Sequence, residues 1–166
     1  AAEESKNFNL VCDVLEDQGS FYGALPAHAS MWRAAADTKD DFLGRLAVVP
    51  MVLEARGLDV TPGMIEIFRK AGLEGAVAAL EKIYAEEVGH VAYGSKWFHF
   101  LCGRHDEDPK DAFHALVKRY FHGALKPPFN EEKRAEAGIP PDFYWPLTGE
   151  EAQQQATQPA RFNPNA

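Results

Sequence analysis

The sequence predicts an all-α fold, an antiparallel helical bundle followed by an extended aromatic and proline-rich C-terminal tail. Three observations carry that expectation. Apolar residues recur at three- and four-residue steps in segment after segment, and no run shows the period of two that a half-buried strand needs. One segment also keeps the helical period for about thirty residues, which at about 1.5 Å each makes a rod of roughly 45 Å, the full height of a bundle.

The elements follow in order. Phe8, Val11 and Leu15 share a helical face, so a helix is expected over about residues 2–17, stopped by Gln18-Gly19-Ser20. Phe21 to Pro26 is aromatic and turn-rich, too apolar for a free linker, and leads into a short helix from His28 to Asp37. Thr38 with Asp41 three residues on resembles a capping box and opens a helix to about Arg56, which Gly57 closes. Pro50 inside it removes one backbone donor and predicts a kink one turn before Glu54. Thr61-Pro62 reads as an N-cap with proline at the first helical position, opening a short helix that ends at Gly72.

The long segment runs from Leu73 to Gly103, with Leu80, Ile83, Tyr84, Glu87, Val91, Gly94, Phe98 and Leu101 in one stripe. Asp108-Pro109 caps a last bundle helix to about Phe121. After Gly123 the composition shifts to prolines, aromatics and a short charged helix over Glu131 to Ala137. The expected organisation is a bundle over 1–125, a strap packed on it over 126–148, and a polar, low-complexity tail over 149–166.

Seventeen basic residues against twenty-five acidic ones leave a net charge of −8 and a pI near 5.2, so direct nucleic-acid binding is not expected. The longest apolar run, Leu46 to Leu53, is broken by Pro50 and ends at Glu54, which predicts no membrane span. Cys12 and Cys102 lie too far apart for a close-spaced zinc motif or a disulfide framework. Reduced thiols and a cytoplasmic location are the expectation. The first residues read as the middle of an element, which predicts a further segment upstream.

Two places set carboxylates into apolar surroundings, where they are costly unless paired or metal-bound. Glu54 follows the most apolar run in the chain. Glu87 and His90, at i and i+3, lie on or beside the stripe of the long helix. A Glu-x-x-His pair with a lone Glu on a neighbouring helix is half of the set that ferritin-like bundles use for two irons or manganeses. Zinc accepts the same donors, so spacing leaves the metal open. Glu4 and Asn7 share a face with Phe8, Val11 and Leu15 and are candidates for the other half. The bland alternative is a buried hydrogen-bonded Glu87–His90 pair. Glu86 and Glu3 read as solvated neighbours, although Glu86, at i and i+4 to His90, also points the same way and can exchange roles with Glu87. Arg56 and Asp59 read as a structural ion pair or cap.

The blocks Tyr22-Gly23-Ala24-Leu25-Pro26-Ala27-His28, Glu54-Ala55-Arg56-Gly57-Leu58-Asp59 and His90-Val91-Ala92-Tyr93-Gly94-Ser95-Lys96-Trp97-Phe98 resemble the signatures of an uncharacterised ferritin-like family. That family is a domain of unknown function, distantly related to the di-iron tRNA hydroxylases, and the resemblance covers about residues 3–145. It implies a bundle with a carboxylate-bridged dinuclear centre and metal ligands at Glu4, Glu54, Glu87 and His90. Relatives carry an upstream helix with a first glutamate, so this chain is expected to lack the first helix of the bundle. They also read Glu-x-x-His-Phe where this chain has Asn7, leaving an amide oxygen as the donor there.

The functional expectation is a non-haem dinuclear iron or manganese oxidoreductase, with zinc possible by substitution. Its partners would be dioxygen and a small-molecule substrate, as in a hydroxylase. The competing expectation is a metal-poor or single-metal structural subunit, completed by a second copy or a partner chain that supplies the missing helix.

Overall fold

The structure, a computed structural model, describes residues 2–149; the tail predicted from residue 149 lies, from 150 on, outside the described residues. α1 (Ala2–Asp17) and α2 (Ser30–Asp37) are followed by α3 (Phe42–Val48), a π-helical segment (Val49–Glu54) and α4 (Ala55–Lys70). α5 (Glu74–His105) is the long rod, and α6 (Pro109–Tyr120) returns along it. The strap holds α7 (Glu131–Glu136), α8 (Pro141–Tyr144) and a 3₁₀ turn (Trp145–Leu147). Among the described residues there is no strand beyond one isolated bridge, Leu125 to Thr148. The architecture is an all-α bundle in which α1, α3, the π segment, α4 and α6 all pack on α5.

Several predicted boundaries shift, each for a local reason. α3 is capped by Asp41, whose Oδ1 accepts from the Gly44 amide at 2.8 Å. Thr38 closes α2 instead, its hydroxyl donating to the Ala34 carbonyl at 2.7 Å. The helix expected to end at Gly57 continues to Lys70, so Thr61 is not an N-cap and Pro62 sits inside α4. Proline there leaves the carbonyl of Leu58, four residues back, without its helical donor. The Asn130 side-chain amide fills that gap, donating to Leu58 O at 3.3 Å.

Pro50 is accommodated by widening the turn into π geometry. Its ring lies against Gly94 of α5, where a Cβ would overlap Pro50 Cβ and Cγ. This contact brings the segment carrying Glu54 close to the helix carrying Glu87 and His90. α1 packs on α5 through the buried Asn7 and the half-buried Leu10 and Val14. The predicted stripe is therefore split, with Phe8 and Val11 exposed. Phe21, Tyr22 and Leu25 are exposed too, although apolar content predicted a packed loop; the rings of Tyr22 and Phe8 meet edge-on, at 5.1 Å between centroids.

The core runs through Met51, Leu58, Val91, Phe98 and Phe113 and takes in Ile139 and Tyr144 of the strap. A buried ion pair fixes the strap. Asp59 Oδ1 accepts from Arg134 Nε at 2.8 Å and from the Asn130 amide at 2.9 Å, while Oδ2 accepts from Arg134 Nη2 at 2.7 Å. The Arg134 guanidinium lies over the rings of Phe129 and Tyr144, 5.0 and 4.7 Å from their centroids. Arg56, paired with Asp59 at 3.4 Å, donates to the carbonyls of Lys126 and Pro128 at 2.7 and 3.0 Å. Both cysteines are free, and burial pushes the Cys102 thiol up to about 11. Among the described residues no helix is long and apolar enough to cross a membrane.

Asp59→Ala strands the Arg134 charge in the core and is expected to cost about 3–5 kcal/mol in urea unfolding. Gly94→Ala drives a methyl into the Pro50 ring and is expected to cost about 1–3 kcal/mol in the same measurement.

Candidate metal centre

Glu54 is the last residue of the π segment and is half-buried, as is Leu53 before it, after the buried Met51 and Val52. Glu87 comes from α5 and lies across the backbone of Gly57, where a Cβ would be 3.7 Å from Glu87 Cγ and Oε1. The position predicted as a helix stop is thus a place where α5 brings a carboxylate close to α4.

His90 lies one turn beyond Glu87. Its Nδ1 is 2.9 Å from Glu4 Oε1 and 3.5 Å from Glu87 Oε2, while its Nε2 is 2.9 Å from Glu3 Oε2. Three carboxylates from two helices therefore meet one imidazole. The bond to Glu3 is the main cause that raises the His90 pKa, outweighing partial burial, and the same bond lowers that of Glu3. Glu54 and Glu87 move the other way. Burial raises both first; the charge of Glu4 then adds to Glu54, and those of Glu54 and Glu4 add to Glu87, with His90 opposing.

Asn7, one turn beyond Glu4, is only 6% exposed, and neither atom of its amide group has a hydrogen-bond partner. A buried amide left unpaired is costly, about 1–3 kcal/mol. Glu86 does not reach His90. It turns toward α1, with Lys6 at 3.8 Å and its Oε2 buried and unpaired, so it is not the solvated neighbour expected. Glu3 is exposed, as expected of a solvated neighbour, yet it also holds the imidazole; its only sequence signal is its place beside Glu4. Among the described residues, no group of three or more His, Cys, Asp or Glu side chains stands ready-made to hold a metal ion. In this arrangement the acids of α1 bond to the imidazole directly.

The remaining histidines have other roles or none. His99 Nδ1 lies 2.8 Å from the Ser95 carbonyl, and His114 Nε2 lies 3.1 and 3.0 Å from the carbonyls of Asp142 and Phe143 in the strap. His122 stands 4.0 Å from Asp37 at the surface.

A carboxyl whose pKa is raised on folding contributes stability only while protonated, and loses it as pH rises through the folded value. In chelator-treated protein, Glu54→Gln should therefore raise the melting temperature by about 2–8 °C at neutral pH. The gain should vanish once the pH falls below the ordinary carboxylate range, as followed by circular dichroism.

The family described as protein of unknown function, DUF455, matches residues 1–145. An uncharacterized protein of Haemophilus influenzae is 39% identical over 139 residues, 84% of this chain and 48% of the relative, so the chain spans about half the length of the curated relative it matches. No solved structure matches the chain. With a family match that begins at the first residue, takes in every candidate ligand and ends within the strap, the chain belongs to the DUF455 family.

Proposed function

We propose that this chain is a ferritin-like, metal-binding bundle acting as a non-haem dinuclear iron or manganese oxidoreductase, with oxygen-dependent hydroxylation of a small organic substrate as its reaction. The observation that carries the reading is the surroundings of His90. Metal-binding histidines commonly donate their second ring N–H to a carboxylate, which fixes the tautomer and aims the free lone pair. Glu3 is placed to accept from Nε2, and Nδ1 then presents its lone pair beside Glu4 and Glu87.

The donor chemistry fits. Glu54 and Glu87 are half-buried, Glu54 against the charge of Glu4 and Glu87 against those of Glu54 and Glu4, a cost in the metal-free chain that a divalent cation would relieve. Glu54, Glu87 and His90 would hold one ion. Glu4 would serve a second, for which Asn7 offers an otherwise unpaired carbonyl oxygen. Bound iron or manganese would supply one-electron redox chemistry and reactivity toward dioxygen, whereas zinc would fill the same donors without redox. The chain's own part is to orient His90 through Glu3 and to keep water from the carboxylates with Met51, Val52 and Leu58.

A second reading, a metal-poor structural subunit completed by another chain or a second copy, is favoured by one observation. Phe8 and Val11 of α1 and Tyr93 and Trp97 of α5 are 41–64% exposed, more apolar surface than these helices need to show water.

Elemental mass spectrometry on protein purified from ordinary medium separates the two. About two iron or manganese ions per chain, lost in Glu87→Ala and in His90→Ala, are expected for the oxidoreductase. A folded protein that stays empty after anaerobic loading with ferrous iron would sink that reading and leave the structural one.

A further inference from the structure

A cavity of about 320 Å³ lies between Leu53 and Arg56 on one side and the connection after α6, with Phe129, on the other. That volume sits at the lower end for small-molecule sites. Its body is apolar, formed by Val52, Leu53, Phe121, Leu125 and Phe129. Its ionisable wall residues are Arg56, His122, Lys126 and Arg134, none of them acidic, in a chain whose net charge is −8.

The cations there exceed their counter-charge. Among the described residues Asp59 is the one carboxylate paired with these guanidiniums, and it serves Arg134 and Arg56 together. Two guanidiniums thus share a single negative charge among the described residues, and Lys126, exposed at the cavity wall, adds a further cation. Arg134 is 2% exposed and its third nitrogen, Nη1, is buried without a partner. A second, smaller cavity of about 160 Å³ shares the walls Leu53, Phe121 and His122, but it is lined by Asp37 as well as Arg33, and Asp37 stands 4.0 Å from His122, so the excess of positive charge belongs to the larger cavity.

We infer that the larger cavity binds a small organic anion, with its carboxylate toward Arg56 and Lys126, Arg134 behind them, and its apolar body against Leu53, Phe121 and Phe129. An inorganic anion would leave the apolar walls unfilled. An uncharged apolar molecule would bury the cations without compensation, which is unfavourable. None of the wall residues is a candidate metal ligand, so the site stands whether or not the chain binds metal.

The test uses the full chain with hexanoate and 3-phenylpropionate as probes, the matching alcohols hexan-1-ol and 3-phenylpropan-1-ol, and inorganic phosphate. Amide NMR titration is the readout. At least one acid should move the resonances of Gly123, Leu125 and Lys126 and saturate by about 10 mM, with its alcohol binding about tenfold more weakly or not at all. The Arg56→Gln/Lys126→Gln pair should bring the acid down to the alcohol's affinity. Lys126→Gln alone, at an exposed position, should weaken the acid by about threefold and keeps the test intact if the pair fails to fold. Leu53→Trp should fill the space and abolish the shifts. Arg134 is left in place because it anchors the strap. The inference is overturned if neither acid moves these resonances at about 10 mM, if acid and alcohol bind alike, if Lys126→Gln leaves acid binding unchanged, or if phosphate alone reproduces the shifts.

Discussion

Asp59 is the residue on which the two parts of the molecule depend. Its side chain is fully buried, and its two oxygens accept from Arg134 twice, from the Asn130 amide and from Arg56. Such a carboxylate is tolerable in the core only because every donor it needs comes to it, and most of those donors come from the strap. The strap in turn fills a gap the bundle creates for itself, since Asn130 supplies the donor that Pro62 denies to Leu58. With the strap docked, Arg56 is committed to the carbonyls of Lys126 and Pro128, and the walls of the basic cavity are set. The same helix end carries Glu54. Packing of the C-terminal segment and placement of the candidate centre are thus two results of one arrangement along α4.

The candidate centre shows a different economy. Glu54 and Glu87 lie where burial and like charge both disfavour ionisation, and Asn7 is buried with both amide atoms unpaired. Folded proteins rarely keep such features together unless something compensates them. His90 compensates in part, drawing Glu4 and Glu3 to its two nitrogens. Those bonds gather acids from α1 and α5 into one volume, which a purely structural contact between two helices does not need.

How much of this was legible in the sequence depends on distance along the chain. The all-α class follows from local periodicity, and Glu54, Glu87 and His90 stand out because a charged residue in an apolar run is visible without any partner. Arg56 with Asp59 was readable as an ion pair because the two lie one turn apart. Arg134 was not, because its bond to Asp59 joins residues seventy-five positions apart. The local punctuation misled for the same reason. Gly57 and Thr61-Pro62 carry the marks of a helix stop and a helix start, yet α4 runs through both, since Asn130 repairs the proline defect and Glu87 lies over the glycine. Glu3 had no pattern of its own; only the approach of α1 to α5 distinguishes it from any surface acid.

The π segment between α3 and α4 has one further consequence. A π turn takes in one residue more than an α turn, so every side chain after it is set back by about 100° relative to an uninterrupted helix. The helix pair α3–α4 is therefore two phases joined at Pro50: one in which Leu43, Ala47 and Met51 face the core, and another in which Ala55 and Leu58 do. Glu54 sits at the seam, and its direction comes from the widened turn rather than from its place in either apolar stripe. Removal of a single residue between Val49 and Leu53 would merge the phases into one regular helix and carry that carboxylate about a quarter turn around the axis, with the composition of the segment hardly altered. Length through this seam, more than the identity of its apolar residues, sets where Glu54 points.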